Sequence, residues 1–319
     1  MMLSRVATCL YWMGRYVERA ENVTRMLLVT SDASVDFEGM DAKLARAEWD
    51  DLMRALPGSE VASEGFTADD GIGAPCIHSF LLDPANTMSV FHSLGRAREN
   101  GRSVREALTR EVFLNLNQAY RHLDDRRRTP TRDPVATLDA VSATHRTILT
   151  TLGAMEHTLT RDQGWTFLKL GEAVERTVRT LEILRVKLPG LRAAGEDVDL
   201  PLYYARWRAL LRSIASLENF RRVHGANLDP EAVVRFLLFD TATPRSVRCG
   251  LIRAKNYLDA LPSGGGMSEA QRIIGKALAT VSYEDDRIMA SPDLSEACDE
   301  LILQFGALHT ALDRHYFSS

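Results

Sequence analysis

Leu10-Tyr11-Trp12-Met13-Gly14-Arg15-Tyr16-Val17-Glu18-Arg19-Ala20-Glu21-Asn22-Val23-Thr24-Arg25 decides the fold, because the chain says part of it twice. Gly14, Val17, Glu18 and Arg19 return as Gly171, Val174, Glu175 and Arg176, an offset of 157 residues (171 − 14). Around the first copy, Leu3, Val6, Leu10, Met13, Val17 and Leu28 fall at helical spacing and predict one long helix over 3–31, with Ser4 near its start. At about 100° per residue, Ala7, Tyr11, Gly14, Glu18, Glu21 and Arg25 form a second stripe beside the apolar one. Trp12, Tyr16 and Val23 add apolar surface on a third side and leave a narrow wet edge at Arg15 and Asn22. A helix this apolar around its circumference belongs inside a bundle.

One short match between helices is weak, so the test is whether the same offset recurs. Phe80-Leu81-Leu82-Asp83 faces Leu237-Leu238-Phe239-Asp240, Ser89-Val90 faces Ser246-Val247, and Leu94, Arg96 and Ala97 face Leu251, Arg253 and Ala254, all at 157. Ala47 with Trp49 and Ala205 with Trp207 fit at 158, one gap away. The expected fold is all-α: an internally duplicated helical bundle, a single domain over 1–319 built of halves at about 1–160 and 161–319. Two copies of an amphipathic unit pack most simply about a pseudo-twofold axis, with helices 3–31 and 165–188 beside it.

The remaining helices are expected over 41–56, 76–82, 87–124 with a bend near Gly101 and a new cap near Thr109, 134–160, 198–224, 229–240, 244–261, 268–281 and 292–316. That makes about ten to twelve in all, with alternating β-branched runs nearly absent. Pro57-Gly58 stops the second helix, residues 58–75 read as loop, and Pro189-Gly190 closes the repeat helix. Arg126-Arg127-Arg128 with Pro130 and Pro134 reads as a solvated linker near 126–134, and Ser263-Gly264-Gly265-Gly266 as a flexible break.

In 319 residues, 39 basic against 43 acidic side chains give −4, which offers no electrostatic support for nucleic acid or a membrane surface as partner. Cys9, Cys76, Cys249 and Cys298 lie far apart without zinc spacing and read as buried thiols in a reducing compartment. The start lacks the apolar stretch of a signal peptide, and no run approaches the ~18 apolar residues of a membrane span. The expected location is cytoplasmic.

The opening Met2-Leu3-Ser4-Arg5-Val6-Ala7 followed by Leu10 to Asn22 resembles the amino-terminal signature of the alpha-E domain family, a bacterial family long listed as a domain of unknown function. Ala97-Arg98-Glu99-Asn100 with Arg102-Ser103-Val104-Arg105 resembles its second block, and the copy at Gly171 its third. The resemblance implies an all-helical protein encoded beside, or fused to, a circularly permuted ATP-grasp ligase and often a transglutaminase-like protein, in systems thought to form peptide or amide bonds. This chain carries no ATP-grasp portion and no glycine-rich nucleotide loop, so ligase chemistry would come from a separate partner, and no cofactor of its own is expected.

Glu18, Glu21 and Glu175 are the candidate catalytic residues, since inward carboxylates on bundle helices hold metals or act as acid and base. Charge pairing competes with that reading: Glu21 with Arg25 and Glu175 with Arg179 stand i,i+4 in the favourable order. Ferritin-like metal sites use Glu-x-x-His, and here Glu18 is followed at i+3 by Glu21 and Glu175 by Val178, so no metal is expected. Arg15, Arg19, Arg25 and Arg176 are the candidate binding residues, and Gly14, Gly171 and Trp12 the structural ones. Glycine inside a helix costs about 1 kcal/mol against alanine, and close helix approach is the simplest compensation. The histidines are scattered singly and no serine sits in a nucleophile elbow. The leading expectation is a helical accessory or substrate-positioning partner of an ATP-grasp ligase. Its rivals are an enzyme using Glu18, Glu21 and Glu175 on a peptide-like substrate, and a scaffold that only forms a homodimer.

Overall fold

A computed structural model describes residues 2–39, 41–56, 61, 71–129, 131, 133–193, 200–262, 266–290 and 294–318. Most of the described residues are helical, with no strand among them. The chain divides into two compact units, Met1–Glu172 and Ala173–Ser319.

The first unit is built around α1 (Ser4–Glu38), which packs against α2 (Ala42–Ala55), α3 (Ala74–Leu82), α4 (Val90–Ser103) and α6 (Pro134–Thr158). Neighbours on several sides explain its composition: Leu10, Tyr11, Met13, Val17, Val23, Leu27 and Phe37 are all buried. Each such side chain contributes about 1.5–3 kcal/mol by leaving water. The predicted wet edge is corrected at Asn22, which is buried, while Arg15 is half-buried. α1 also runs a further two turns beyond the expected end, burying Ala33 and Phe37.

The expected long helix over 87–124 is two helices, α4 and α5 (Arg110–Arg128), separated by a 3-10 turn at Arg105–Ala107. Thr109 precedes α5 as expected, but its hydroxyl bonds Thr158 (2.7 Å) rather than capping the helix. The linker reading is corrected as well. Arg126, Arg127 and Arg128 are the last turn of α5; Arg127 and Arg128 pair with Asp124, and Arg126 donates to the Ala136 carbonyl (2.5 Å) on α6. Cations in a final helical turn complement the exposed carbonyls there. Asp133 caps α6 by accepting from Val135 N (3.2 Å) and Ala136 N (3.3 Å), with Pro134 in the first turn, where its missing N–H is harmless.

The second unit holds most of α7 (Gln163–Ala193), followed by α8 (Leu200–Ser213), α9 (Leu217–His224), α10 (Pro230–Phe239), α11 (Val247–Asp259), α12 (Glu269–Tyr283), α13 (Asp285–Ala290) and α14 (Leu294–Leu312). α12 packs on α11, α13 and α14, and α10 on α8, α9 and α11. Ser268 and Gln271 make the capping box that opens α12. Pro189 does not close α7, which runs through it to Ala193. A proline inside a helix deprives the carbonyl four residues earlier of its donor. That carbonyl belongs to Arg185, and it accepts the Ser295 hydroxyl (3.1 Å) instead. The single helix expected over 198–224 is broken between α8 and α9, where Ala215 takes φ 51°, and α13 was not anticipated. The Pro57-Gly58 stop, most of the 58–75 loop and Ser263 to Gly265 lie outside the described residues. Cys76, Cys249 and Cys298 are buried free thiols, whereas Cys9 is only half-buried, because it falls on the flank of α1.

One turn occurs in both units, 157 residues apart. Ser89 opens α4 by accepting from His92 N (3.1 Å) and donates to the Asp83 carbonyl (2.6 Å), while Asp83 accepts from Ala85 N (2.8 Å). Ser246 opens α11 by accepting from Cys249 N (3.1 Å) and donates to the Asp240 carbonyl, while Asp240 accepts from Ala242 N (2.9 Å). No helix among the described residues is long and apolar enough to cross a membrane.

Candidate functional site

The opening stretch meets the start of α7 at a helix crossing inside the first unit. A Cβ at Gly14 would overlap the Leu168 carbonyl oxygen and stand 3.2 Å from the Glu172 amide nitrogen. A Cβ at Gly171 would overlap the Tyr11 carbonyl oxygen and stand 3.2 Å from the Arg15 amide nitrogen. The contact is reciprocal: Leu168 lies 157 residues after Tyr11, and Glu172 lies 157 after Arg15. Both glycines are therefore required by backbone approaching backbone, which no rotamer change relieves.

One turn along α1 from Gly14, Glu18 is fully buried (0% exposed), and Glu21 nearly so (2%). Glu21 is held by Arg25 through two bonds, Nε to Oε1 at 3.1 Å and Nη2 to Oε2 at 3.3 Å, and Arg25 is itself buried. Bidentate pairing of this kind fixes both planes and is the stronger class of charged hydrogen bond. In the second unit Glu175 (0% exposed) stands 3.5 Å from Arg179 Nε. The i,i+4 pairs expected from spacing are thus formed. Glu175 is the repeat of Glu18, however, and the first unit makes its pair one turn later, at Glu21.

Around the glycine crossing the candidate arginines lie on aromatic faces. The Arg15 guanidinium is 4.9 Å from the Trp12 ring centre, Trp12 stacks on Tyr16 with centres 5.5 Å apart, and Arg19 is 5.4 Å from the Tyr16 ring. All four side chains are half-buried. The ladder follows from i,i+3 and i,i+4 spacing, and each cation–π contact contributes about 0.5–1 kcal/mol at such sites. Arg176 is half-buried in the second unit.

Sequence reasoning missed a network where α7 begins. Lys169 bonds Glu172 and lies 3.2 Å from Glu156 on α6, which also accepts from Arg161 (2.7 Å). Burial pushes the Glu156 carboxyl up, but the Arg161 and Lys169 contacts together outweigh it and hold it below the usual carboxylate range. The Lys169–Glu172 spacing of i,i+3 was the visible signal. His145, set aside with the other histidines, makes a hydrogen bond with Thr24 of α1 (2.9 Å). Among the described residues no group of three or more His, Cys, Asp or Glu side chains is arranged to hold a metal ion.

A family model described as "a predicted alpha-helical domain with a conserved ER motif" matches residues 2–317. The chain belongs to the Alpha-E family. It contains two Glu-Arg dipeptides, Glu18-Arg19 and Glu175-Arg176, one in each copy of the opening motif. The Alpha-E chain is similar to uncharacterized proteins of Mycobacterium bovis (Mb2597) and Mycobacterium tuberculosis (Rv2567), each 27% identical over 282 residues, which is 85% of this chain and 31% of the relative. It therefore spans about a third of the length of those relatives. No solved structure matches it. In both dipeptides of this Alpha-E chain the glutamate is fully buried and the arginine half-buried, so a Glu-Arg pair places one side chain in the core and hands the next to the core's edge.

Proposed function

We propose that this chain is a non-catalytic accessory domain of a bacterial ATP-grasp peptide or amide ligase system, positioning the substrate or the enzyme. The observation that carries this reading is the burial of the candidate carboxylates. Glu18 and Glu175 are 0% exposed and Glu21 2%, and two of the three are committed to arginines at i+4. A general acid or base has to reach a substrate proton directly or through one water, and side chains so placed serve architecture better than turnover. The mycobacterial relatives add support: 282 aligned residues are 31% of their length, so the similar region is one part of a larger protein there.

The fold within this reading is an internal duplication, one domain of two pseudo-twofold-related repeats. Three features support it: the reciprocal glycine contacts, the Asp-to-Ser turn with the same bonds 157 residues on, and the recurring Glu-Arg dipeptide. A cytoplasmic setting belongs to the same reading and fits four cysteines that are all free. The partner is a circularly permuted ATP-grasp ligase, with a transglutaminase-like protein as a further component. Co-purification of the chain with the ATP-grasp protein encoded beside it, followed by ADP release with and without the chain, tests the reading. A complex with altered turnover is expected, and the absence of both would defeat it.

A further inference from the structure

The pair of helices α4 and α5 has a counterpart in α11 and α12, and the two pairs differ in charge. Residues 90–128 carry nine arginines against five acids, a net +4 with histidines neutral, whereas residues 247–286 carry five cations against five acids. The whole chain is −4, so everything outside residues 90–128 sums to −8. A stack across α4 and α5 orders the arginines of the first pair. Arg98 lies 5.1 Å from the Tyr120 ring centre, Tyr120 stacks on Phe91 with centres 5.2 Å apart, and Arg127 lies 5.1 Å from the Phe91 ring. Arg98 also donates to Asn117 of α5 (2.8 Å) and to Glu99 (2.9 Å). A guanidinium placed over a ring leaves its in-plane N–H groups for oxygen acceptors.

Helical spacing extends the stack into a face. Arg102 stands one turn on from Arg98 along α4, and Arg121 one turn on from Asn117 along α5, with Arg110 and Arg128 on the same side of that helix. All of these arginines except Arg98 are exposed, and Glu99 and Asp124 are the acids set among them. The duplication shows whether the fold needs this charge. Buried residues fix the register: Val90, Leu94 and Ala97 match Val247, Leu251 and Ala254 at 157, while Val112, Leu116, Ala119 and Leu123 match Ala270, Ile274, Ala277 and Val281 at 158. In that register the six arginines become Lys255, Asp259, Ser268, Ala279, Asp285 and Asp286, and the two acids become Asn256 and Ser282. The same eight positions go from +4 to −2, yet α11 packs on α12 as α4 packs on α5. Packing therefore leaves the arginines unexplained.

We infer that the outer face of α4 and α5 is a docking surface for an acidic polypeptide segment of a partner protein. Arginine forks pair with carboxylates through two parallel hydrogen bonds, and the stack holds two of them in place before the partner arrives. Glu99 and Asp124 divide the face into separated guanidinium groups, which fits carboxylates spaced along a peptide. A nucleic acid presents an unbroken run of phosphates, and the −8 carried by the rest of the chain opposes it. The face lies wholly within the first unit. It stands without the ligase reading and goes beyond it by naming where a partner binds and with what charge.

Fluorescence anisotropy on the full chain tests it. The probes are a labelled peptide rich in glutamate and aspartate, the same peptide with glutamine and asparagine in their place, and a single-stranded oligonucleotide. The acidic peptide is expected to bind saturably at micromolar concentration and to weaken as salt is raised, because exposed charges are screened. Arg110→Glu combined with Arg121→Glu, at two exposed positions, should lower its affinity about tenfold, through two lost pairs and two new repulsions. Arg222→Glu, at an exposed position on α9 in the second unit, should change affinity less than about twofold. No saturable binding of the acidic peptide, equal binding of the neutral one, or tighter binding of the oligonucleotide would each overturn the surface. So would a double variant that binds as wild type, or an Arg222→Glu loss as large as the double variant's. Binding is read on this chain alone, so the outcome is separate from whether the chain joins a ligase.

Discussion

Replacing Gly14 by alanine sets two known quantities against each other. Alanine is the better helix former by about 1 kcal/mol, so at an uncrowded position the change stabilises. At Gly14 the new methyl would overlap the Leu168 carbonyl oxygen and crowd Glu172 N at 3.2 Å. Those atoms are backbone, so the helices must separate by on the order of 1 Å and lose dispersion contacts along the crossing. Overpacking of this kind costs about 1–3 kcal/mol, and its rigid partner puts Gly14 at the upper end. The net expectation is a loss of about 2 kcal/mol, or roughly 4–8 °C in Tm on the scale of a chain somewhat smaller than this one. Gly153 in α6 has nothing within 4 Å of its would-be Cβ, and Gly153→Ala is the control that should gain stability. Because Gly14 and Gly171 share one crossing, Gly14→Ala with Gly171→Ala should cost about 1 kcal/mol less than the sum of the single changes, a coupling typical of sites in contact. Urea titrations followed by circular dichroism give all four values. A Gly14→Ala protein that behaves like Gly153→Ala would refute the close approach.

Four further outcomes follow from the packing and the charges. Glu175→Gln leaves Arg179 buried without its carboxylate and should cost about 3–5 kcal/mol in urea unfolding; a variant as stable as wild type would contradict the pairing. Gly250→Ala drives a methyl into the Thr177 hydroxyl and should lower the melting temperature, whereas the double change with Thr177→Ala should restore most of it. The Glu156 carboxyl is held below its usual range in the folded protein, so its contribution is present above the unfolded carboxylate pKa and lost as pH falls through the lower folded value. Glu156→Gln should therefore flatten the acid side of the stability–pH profile and leave its slope near neutrality unchanged. Burial, aided by Asp50, pushes the Cys76 thiol up to about 11; thiol reagents at neutral pH should modify it only after unfolding, and rapid labelling of the native protein would count against that burial.

The fold class was legible because α1 and α7 advertise themselves: apolar residues on every side of a helix leave only a bundle interior. Caps read well where a single side chain decides them, as at Asp41, Asp229 and Ser268. Boundaries failed where a distant partner decides. Pro189 reads as a stop until Ser295 arrives to take the Arg185 carbonyl, and the three arginines read as linker until Asp124 and the Ala136 carbonyl hold them. At the candidate site, the i,i+4 pairs and the glycine crossing were visible because they are local or repeated. The Lys169–Glu156 contact was not, since it joins two helices.

The central claim is that the buried glutamates hold the fold while the chain acts as a partner. The most direct measurement pairs the thermal melt of Glu18→Gln with ADP release by the proposed ATP-grasp partner, read well below that melt. The account predicts a variant that melts several degrees below wild type and, while folded, influences turnover as wild type does. A variant that melts with wild type and has lost its influence on turnover would contradict the account and make Glu18 a functional carboxylate.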